Sequence, residues 1–441
     1  MLKTFINAWK IPDLRKKMIF TIFIVFIFRL GCVIPVPFLS ISGSGLLGDA
    51  SQNGTFFSYI SMMTGEAFNY GTIFALGITP YINSSIILQL LAVAIPALEK
   101  LSHDEEGRKK MTKITRYVTV ALALLQSVAY YIYIHSKGTF LNPQVTGFQA
   151  VLQGIFVVVV LTAGSTLVMW LGEQINDKGI GNGISIILFA GIVARLPVTI
   201  TQIVVPMWQN RSWYYLLSPL AVIILLLMIA YIVWMDGAER RIPVQYAKRV
   251  VGRKMYGGQS SNIPIKVNLS GVLPIIFASS ILSVPPTIKM FLGDIKEGSF
   301  WDSFFRCFDA NDTGLGWVYG IIYFLLIIFF AYFYASIQYN PVEMANNLAK
   351  NSGMIPGIRS GRPTADYIAK VISKIVLLGA LMLSVVALFP IIFQQVTTAV
   401  NFPLAVSLGG TSIIILVGVA LETVQQIESQ MMMRHYKGFL D

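Results

Sequence analysis

Long apolar runs alternate with short polar connections along nearly the whole chain, a pattern that predicts bilayer-spanning helices. Ten runs reach the roughly 20 mostly apolar residues a spanning helix needs: 18–37, 72–95, 114–135, 151–171, 183–205, 216–235, 271–292, 317–337, 371–395 and 403–424. An even number of crossings puts both ends on one side. Ahead of the first run, residues 1–17 place apolar positions at helical spacing among five basic ones, which predicts a short amphipathic helix on the membrane surface. Residues 55–70 (TFFSYISMMTGEAFNY) are apolar and helical in pattern but too short to cross, and they end in Gly65, Glu66, Asn69 and Gly71 before turning into the second run. That segment is either a helix folded back into the protein from the outer side or one lying on the outer surface. In the second half, the run 271–292 is expected to be interrupted by Pro274 and ended by Pro285 and Pro286. Broken segments at corresponding places suggest two inverted repeats, spans 1–5 and 6–10.

Composition agrees. Hydrophobic residues make up 55% of the 441 and charged ones 12%, against about 25% charged in a soluble domain. The expected fold is an all-α polytopic membrane protein with ten transmembrane helices in two pseudo-symmetric inverted halves. Its parts are the N-terminal helix 1–17, the halves 18–215 and 216–424, and a tail 425–441.

Net charge is +12, and its distribution sets the topology. Of the 33 Lys and Arg, 26 fall in connections on the side of the N-terminus; the other side holds Lys137, Arg195, Arg211, Lys289, Lys296 and Arg306, and Arg29 lies within the first span. The basic side is therefore expected to be cytoplasmic, with both termini there. The connections 236–268 and 338–370 combine cations with Pro and Gly turn signals. They serve either as solvated topology signals or, as their length favours, as a docking surface for an anionic partner.

Candidate chemistry is sparse. Cys32 and Cys307 read as free thiols, and His103, His135 and His435 are scattered, so neither a metal site nor a cofactor is expected. Arg29 stands out as the ionisable group inside a span; Glu173, Asp236 and Glu422 sit at cytoplasmic ends. A secondary transporter usually places a carboxylate or His near the midplane, and an intramembrane enzyme needs a metal motif or a nucleophile with its base. Neither pattern is present in the sequence, so no enzymatic activity is expected. The cluster GIGNG (179–183) reads as a tight turn into the fifth span. Span 2 instead carries Thr79, Asn83, Ser84, Ser85 and Gln89, small polar residues suited to helix contacts or water.

The runs TIFALGITPYINSSIILQLL (72–91) and MWLGEQINDKGIGNGISIILFAGIV (169–193) closely resemble the signature regions of the SecY family, the central subunit of the bacterial protein-conducting channel. QYAKR (245–249), PIKVNLSGVLPIIFASSI (264–281), PGIRSG (356–361) and GGTSIIILVGVALE (409–422) extend the likeness over essentially the whole chain. The resemblance implies a central hourglass pore in the bacterial plasma membrane, closed at its waist by Ile78, Ile82, Ile184, Leu188, Ile276 and Ile415. The pairs 78/82 and 184/188 each share one helix face. It also implies that 55–70 is the plug, with Phe57, Tyr59, Ile60, Met62, Met63, Gly65 and Glu66. Spans 2 and 3 against 7 and 8 would form a lateral gate, with Asn83, Ser85, Gln89, Ser279 and Ser280. Arg249, Arg253, Lys254 and Arg359 would dock the SecA motor ATPase or the ribosome. The small membrane subunits SecE and SecG, membrane lipid and unfolded signal-peptide-bearing chains complete the partners the family implies.

Overall fold

The computed structural model describes residues 2–39, 64–96, 105–136, 147–209, 214–246, 249–251, 254–256, 260–282, 299–308, 316–399 and 410–437, with a few isolated positions between them. The helices are α1 (Leu2–Lys10), α2 (Pro12–Gly31), α3 (Thr79–Ala94), α4 (Glu105–Ser136), α5 (Phe148–Lys178), α6 (Gly183–Gln209), α7 (Tyr214–Gly237), α8 (Leu273–Leu282), α9 (Phe300–Arg306), α10 (Gly316–Gln338), α11 (Pro341–Lys350), α12 (Arg362–Ala399) and α13 (Gly410–Lys437). Each of the ten apolar runs falls on one of them: α2 to α8, α10, α12 and α13. Among the described residues, α5, α10, α12 and α13 are long and apolar enough to cross a membrane by length and composition alone. Their outward faces are apolar too: Val151, Ile155, Leu325, Phe329, Leu377 and Val385 are all exposed. A continuous apolar exterior suits lipid and not water.

The helices form two groups. In the first, α4 packs between α3 and α5, and α5 also meets α2 and α6; in the second, α10 packs between α8 and α12. The groups join where α6 meets α7 and α13. Their shared core runs through both, from Phe28 and Ile175 to Ile275, Leu383 and Ile414. Helix α1 lies against α2 and α13, with Ala8 buried beside Leu14, Ile180 and Ile427.

Several boundaries differ from the expectation. The amphipathic segment ends at Lys10, because Ile11 is extended (φ −88°, ψ 116°) and Pro12 restarts a helix that is the first span itself. Proline suits the first helical turn, where its missing N–H costs no bond. The same reasoning corrects Pro274: it is the second residue of α8 and opens that helix, with Gly271 (φ +59°) turning the chain just before it, so it does not interrupt the span. Span 2 starts at Thr79 instead of 72, because residues 64–78 run as successive turns through left-handed positions at Gly65, Glu66, Gly71 and Gly77. The GIGNG stretch turns the chain: Gly181 has φ +88°, the Gly183 amide donates to Asn176 Oδ1 at 2.7 Å, and Asn182 Oδ1 accepts from the Ile184 amide at 3.1 Å.

The two long basic connections are joined by a sheet, which the helical periodicity gave no reason to expect. Strand β1 (Glu239–Tyr246) pairs antiparallel with β4 (Ser260–Lys266) and, on its other edge, with β5 (Gly353–Met354). A separate hairpin pairs β2 (Arg249–Val251) with β3 (Lys254–Tyr256).

The irregular stretch 64–78 is held by close backbone approach. A Cβ on Gly164 of α5 would overlap the Ile73 carbonyl, and next to it the Ser165 hydroxyl donates to the Gly77 carbonyl at 3.1 Å. Gly164→Ala should therefore destabilise the protein by about 2 kcal/mol through overpacking. Gly320→Ala, where the nearest atom to a new Cβ is Leu388 Cδ2 at 3.7 Å, should be tolerated. Thermal unfolding of both variants in detergent, followed by tryptophan fluorescence, checks the contrast.

Candidate functional site

Three features make up the candidate site. The first is an aliphatic cluster. Ile78, Leu188, Ile276 and Ile415 are buried in the main core, and Ile82 and Ile184 are half-buried against it. They come from the start of α3 and from α6, α8 and α13, so both groups contribute. The 78/82 pair is set by the helix start: Ile78 is the N-cap residue of α3, and its carbonyl accepts from the Ile82 amide at 3.1 Å. Six branched side chains without a donor or acceptor offer nothing to an ion or a water molecule.

Around this cluster the polar residues of span 2 separate by role. Gln89 is exposed and donates to Ser85 Oγ at 3.2 Å within the same helix, and Asn83 is half-buried. The buried contact is Ser84, which was not among the residues singled out for a gate. Its hydroxyl lies 2.6 Å from Thr119 Oγ1 of α4 and donates to the Tyr81 carbonyl at 2.9 Å. On α8, Ser279 and Ser280 are half-buried, and Ser279 donates to the Ile276 carbonyl at 2.9 Å.

The second structure is the turn segment beside the cluster. Phe57, Tyr59, Ile60, Met62 and Met63 lie outside the described residues, whereas Gly65 and Glu66 are within them. The segment is tied on several sides. Val36 donates its amide to the Gly71 carbonyl and Ile73 to the Ile34 carbonyl, both at 3.0 Å, and the Tyr130 hydroxyl of α4 donates to the Phe68 carbonyl at 2.5 Å. Glu66 Oε1 pairs with Arg195 Nη2 of α6 at 2.5 Å, and Glu66 Oε2 accepts from Asn69 Nδ2 at 3.1 Å and from Ser61 Oγ at 3.4 Å. Arg195 is only 8% exposed. It is a second ionisable residue inside a span, passed over because the count of cations by side assigned it to an outer connection. Its position at the thirteenth residue of the predicted span 183–205 was the available signal. Arg29, the first such residue, points its Nη1 at Gly65, within 2.5 Å of where a Cβ would stand.

The third is the platform on the basic side. Along β1 the side chains alternate, with Ile242 and Val244 packed inward against Ile265, Leu348, Ile355 and Ile368, while Glu239, Arg240 and Arg241 stay exposed. Tyr339 packs on the same core, and burial raises its hydroxyl above the ordinary value, so it stays neutral. Arg359 is exposed on a turn bracketed by Gly357 (φ +82°) and Gly361 (φ +99°), with its carbonyl accepting from Thr364 Oγ1 at 2.8 Å. Arg249 and Lys254 occupy strand positions in the β2–β3 hairpin, opposite Tyr256 and Val251, and Arg253 lies outside the described residues. Among the described residues no three His, Cys, Asp or Glu come together as metal ligands.

Comparison with known proteins agrees with this geometry. A family model described as SecY matches residues 72–424. The chain is 45% identical over 448 residues to the protein translocase subunit SecY of Streptomyces galbus, covering all of both chains. It is 42% identical over 453 residues to that of Mycobacterium tuberculosis H37Rv, again over the full length of each. Among solved structures, a protein-conducting channel superimposes with a TM-score of 0.60 at 18% identity, covering 94% of this chain and 92% of the other. Sec61 in the canine ribosome-channel complex gives 0.57 at 17% identity over the same shares. With a family match over most of its length and full-length relatives at 42% and 45% identity, the chain belongs to the SecY family.

Proposed function

We propose that this chain is the pore-forming subunit of a protein translocation channel, conducting unfolded secretory polypeptides across the membrane and releasing hydrophobic segments sideways into lipid. The observation that supports the reading is the aliphatic cluster, in which both helix groups contribute branched side chains to one core. Such a ring seals by excluding water, yet binds no particular side chain, so a chain of any sequence can slide through it. The turn segment 64–78 next to it is the root of a plug whose displacement opens the path.

The sequence carries no recognisable catalytic motif, and the driving energy comes from a bound motor ATPase or a translating ribosome. Arg359 and the β2–β3 hairpin form the docking site: cations on an exposed turn and a hairpin suit an acidic motor surface and equally the phosphates of ribosomal RNA. SecE and SecG are the small subunits expected beside it. Both termini face the cytoplasm of a bacterial cell, since most of the cations lie on that side. The lateral gate lies between α3 and α4 on one side and α8 and α10 on the other, the route by which a signal sequence leaves for lipid.

Two measurements test this. A photoreactive or cysteine probe at position 82 should cross-link to a translocating chain stalled in the channel; no adduct with the stall verified would reject the pore assignment. Arg359→Glu should reduce ATP-driven export at least tenfold while leaving insertion of the protein into the membrane unchanged. Undiminished export would remove Arg359 from the docking site.

A further inference from the structure

A groove of about 660 Å³ runs along the outer surface between α4 and α5, a volume in the range of small-molecule sites. Its lining on α5 extends from Val158 to Glu173, about 22 Å at 1.5 Å per residue. One leaflet is half of the roughly 30 Å hydrocarbon core, so the groove is deep enough for the acyl chains of one lipid and too short to seat a helix that crosses the whole core. Its walls offer nothing to water. Val159, Ala163 and Leu167 are apolar, and the hydroxyls of Thr162 and Thr166 are spent inside α5, on the Val158 carbonyl at 2.8 Å and the Thr162 carbonyl at 2.7 Å. The end toward the basic side is different. There Arg116 Nε of α4 donates to Glu173 Oε1 of α5 at 2.7 Å, with 48% of the arginine side chain and 17% of the glutamate side chain exposed. Asp177, one turn beyond Glu173, is near enough for its charge to act on Arg116, and Lys113 stands one turn before Arg116 on α4. Trp170 lines the same end and is 51% exposed, as suits an indole at the depth of lipid headgroups.

We infer that this groove is a binding site for one zwitterionic phospholipid of the basic-side leaflet, with a primary amine in its headgroup: a phosphatidylethanolamine. Charge pairing selects it. The mouth of the groove presents two cations on α4, Lys113 and Arg116, and two carboxylates on α5, Glu173 and Asp177. A phosphate with an ammonium beside it answers both pairs. Arg116 spends Nε on Glu173, and its planar fork has four further N–H donors of the kind that hold phosphate. The ammonium in turn donates to the carboxylates, which accept from more than one donor. An anionic headgroup without an amine would suit the cations but would set a further negative charge against Glu173 and Asp177. A trimethylated amine keeps its charge and has no N–H to donate, so it forgoes those hydrogen bonds. The acyl chains then lie on Val159, Ala163 and Leu167, where no polar atom competes for them. Only the geometry of α4 and α5 enters, so the site stands apart from the channel reading.

The test is native mass spectrometry of the full chain, together with any subunits that co-purify, after delipidation and incubation with an equimolar mixture of phosphatidylethanolamine, phosphatidylcholine and phosphatidylglycerol of identical acyl chains. The ethanolamine lipid should be retained about fivefold over each of the others, the effect of roughly one charge-assisted hydrogen bond. Glu173→Gln should remove that preference while leaving total retention close to the parent. Arg116→Gln should lower retention of the ethanolamine and glycerol lipids alike, and Thr166→Trp, which fills the floor, should lower retention of all three. Equal retention of the three lipids by the parent would overturn the inference, as would a parental preference in Glu173→Gln. If the variants do not accumulate, the lipid is varied instead: stepwise N-methylation of the ethanolamine headgroup should weaken retention by the parent at each step, and a flat series rejects the site. A cysteine at position 166 distinguishes the other occupant. Cross-linking of that cysteine to a helix of a co-purifying subunit, with no lipid retained, would show a protein surface and overturn the lipid site.

Discussion

A backbone amide or carbonyl at membrane depth has no water to turn to, so every non-helical residue there must be answered by the protein itself. Among the described residues, the stretch 64–78 is the longest departure from helical regularity within the bundle, and much of the first helix group is arranged around satisfying it. The end of α2 supplies a two-bond bridge at residues 34–36, α4 supplies the Tyr130 hydroxyl, and α5 supplies Ser165. Close approach is possible because α5 offers Gly164 where the Ile73 carbonyl must pass. The irregular segment is therefore tolerated because it is enclosed, and it is enclosed because three surrounding helices each contribute one specific feature.

That enclosure sits next to a region with the opposite chemistry. The aliphatic cluster has no polar atoms to satisfy and holds its shape by close contact alone, so it can part and reclose without breaking a directional bond. The turn segment is held by directional bonds and a charge pair. The two regions thus divide by material: an apolar cluster without directional bonds lies beside a segment held by them. Glycine at position 65 belongs to this division as well, since Arg29 occupies the space any side chain there would need.

Much of this was legible from the order of residues. The ten apolar runs all became helices, and the i, i+4 spacing of 78/82 and 184/188 put those residues on one core. What escaped had particular causes. Span 2 was started seven residues early because TIFALGI is as apolar as a helix, and hydropathy does not register the left-handed glycines at 71 and 77 that bend it. Pro274 was taken for a break because its position relative to the helix start, which decides whether proline breaks or initiates, depends on Gly271 turning the chain. Arg195 was missed because counting cations by side treats every charge as a loop charge, although its partner lies 129 positions earlier at Glu66. The sheet between the two basic connections was missed for the same reason: β1 and β5 are separated by more than 100 residues, and no local period announces a pairing of that range.

The sheet has one further consequence for how the basic side works. Only Ala238 separates the end of α7 from β1, β4 leads into α8 after residues 267–272, and β5 sits between α11 and α12. Strands so close to the span ends make the platform a continuation of the second helix group instead of a flexible appendage. Its inward face, Ile242 and Val244 against Ile368 and Ile372, welds β1 to the start of α12. Under the docking proposed for Arg359, a partner would press on the second helix group, while the first group is reached chiefly through the joins of α6 with α7 and α13. A docking surface made only of loops would absorb the same push in its own bending.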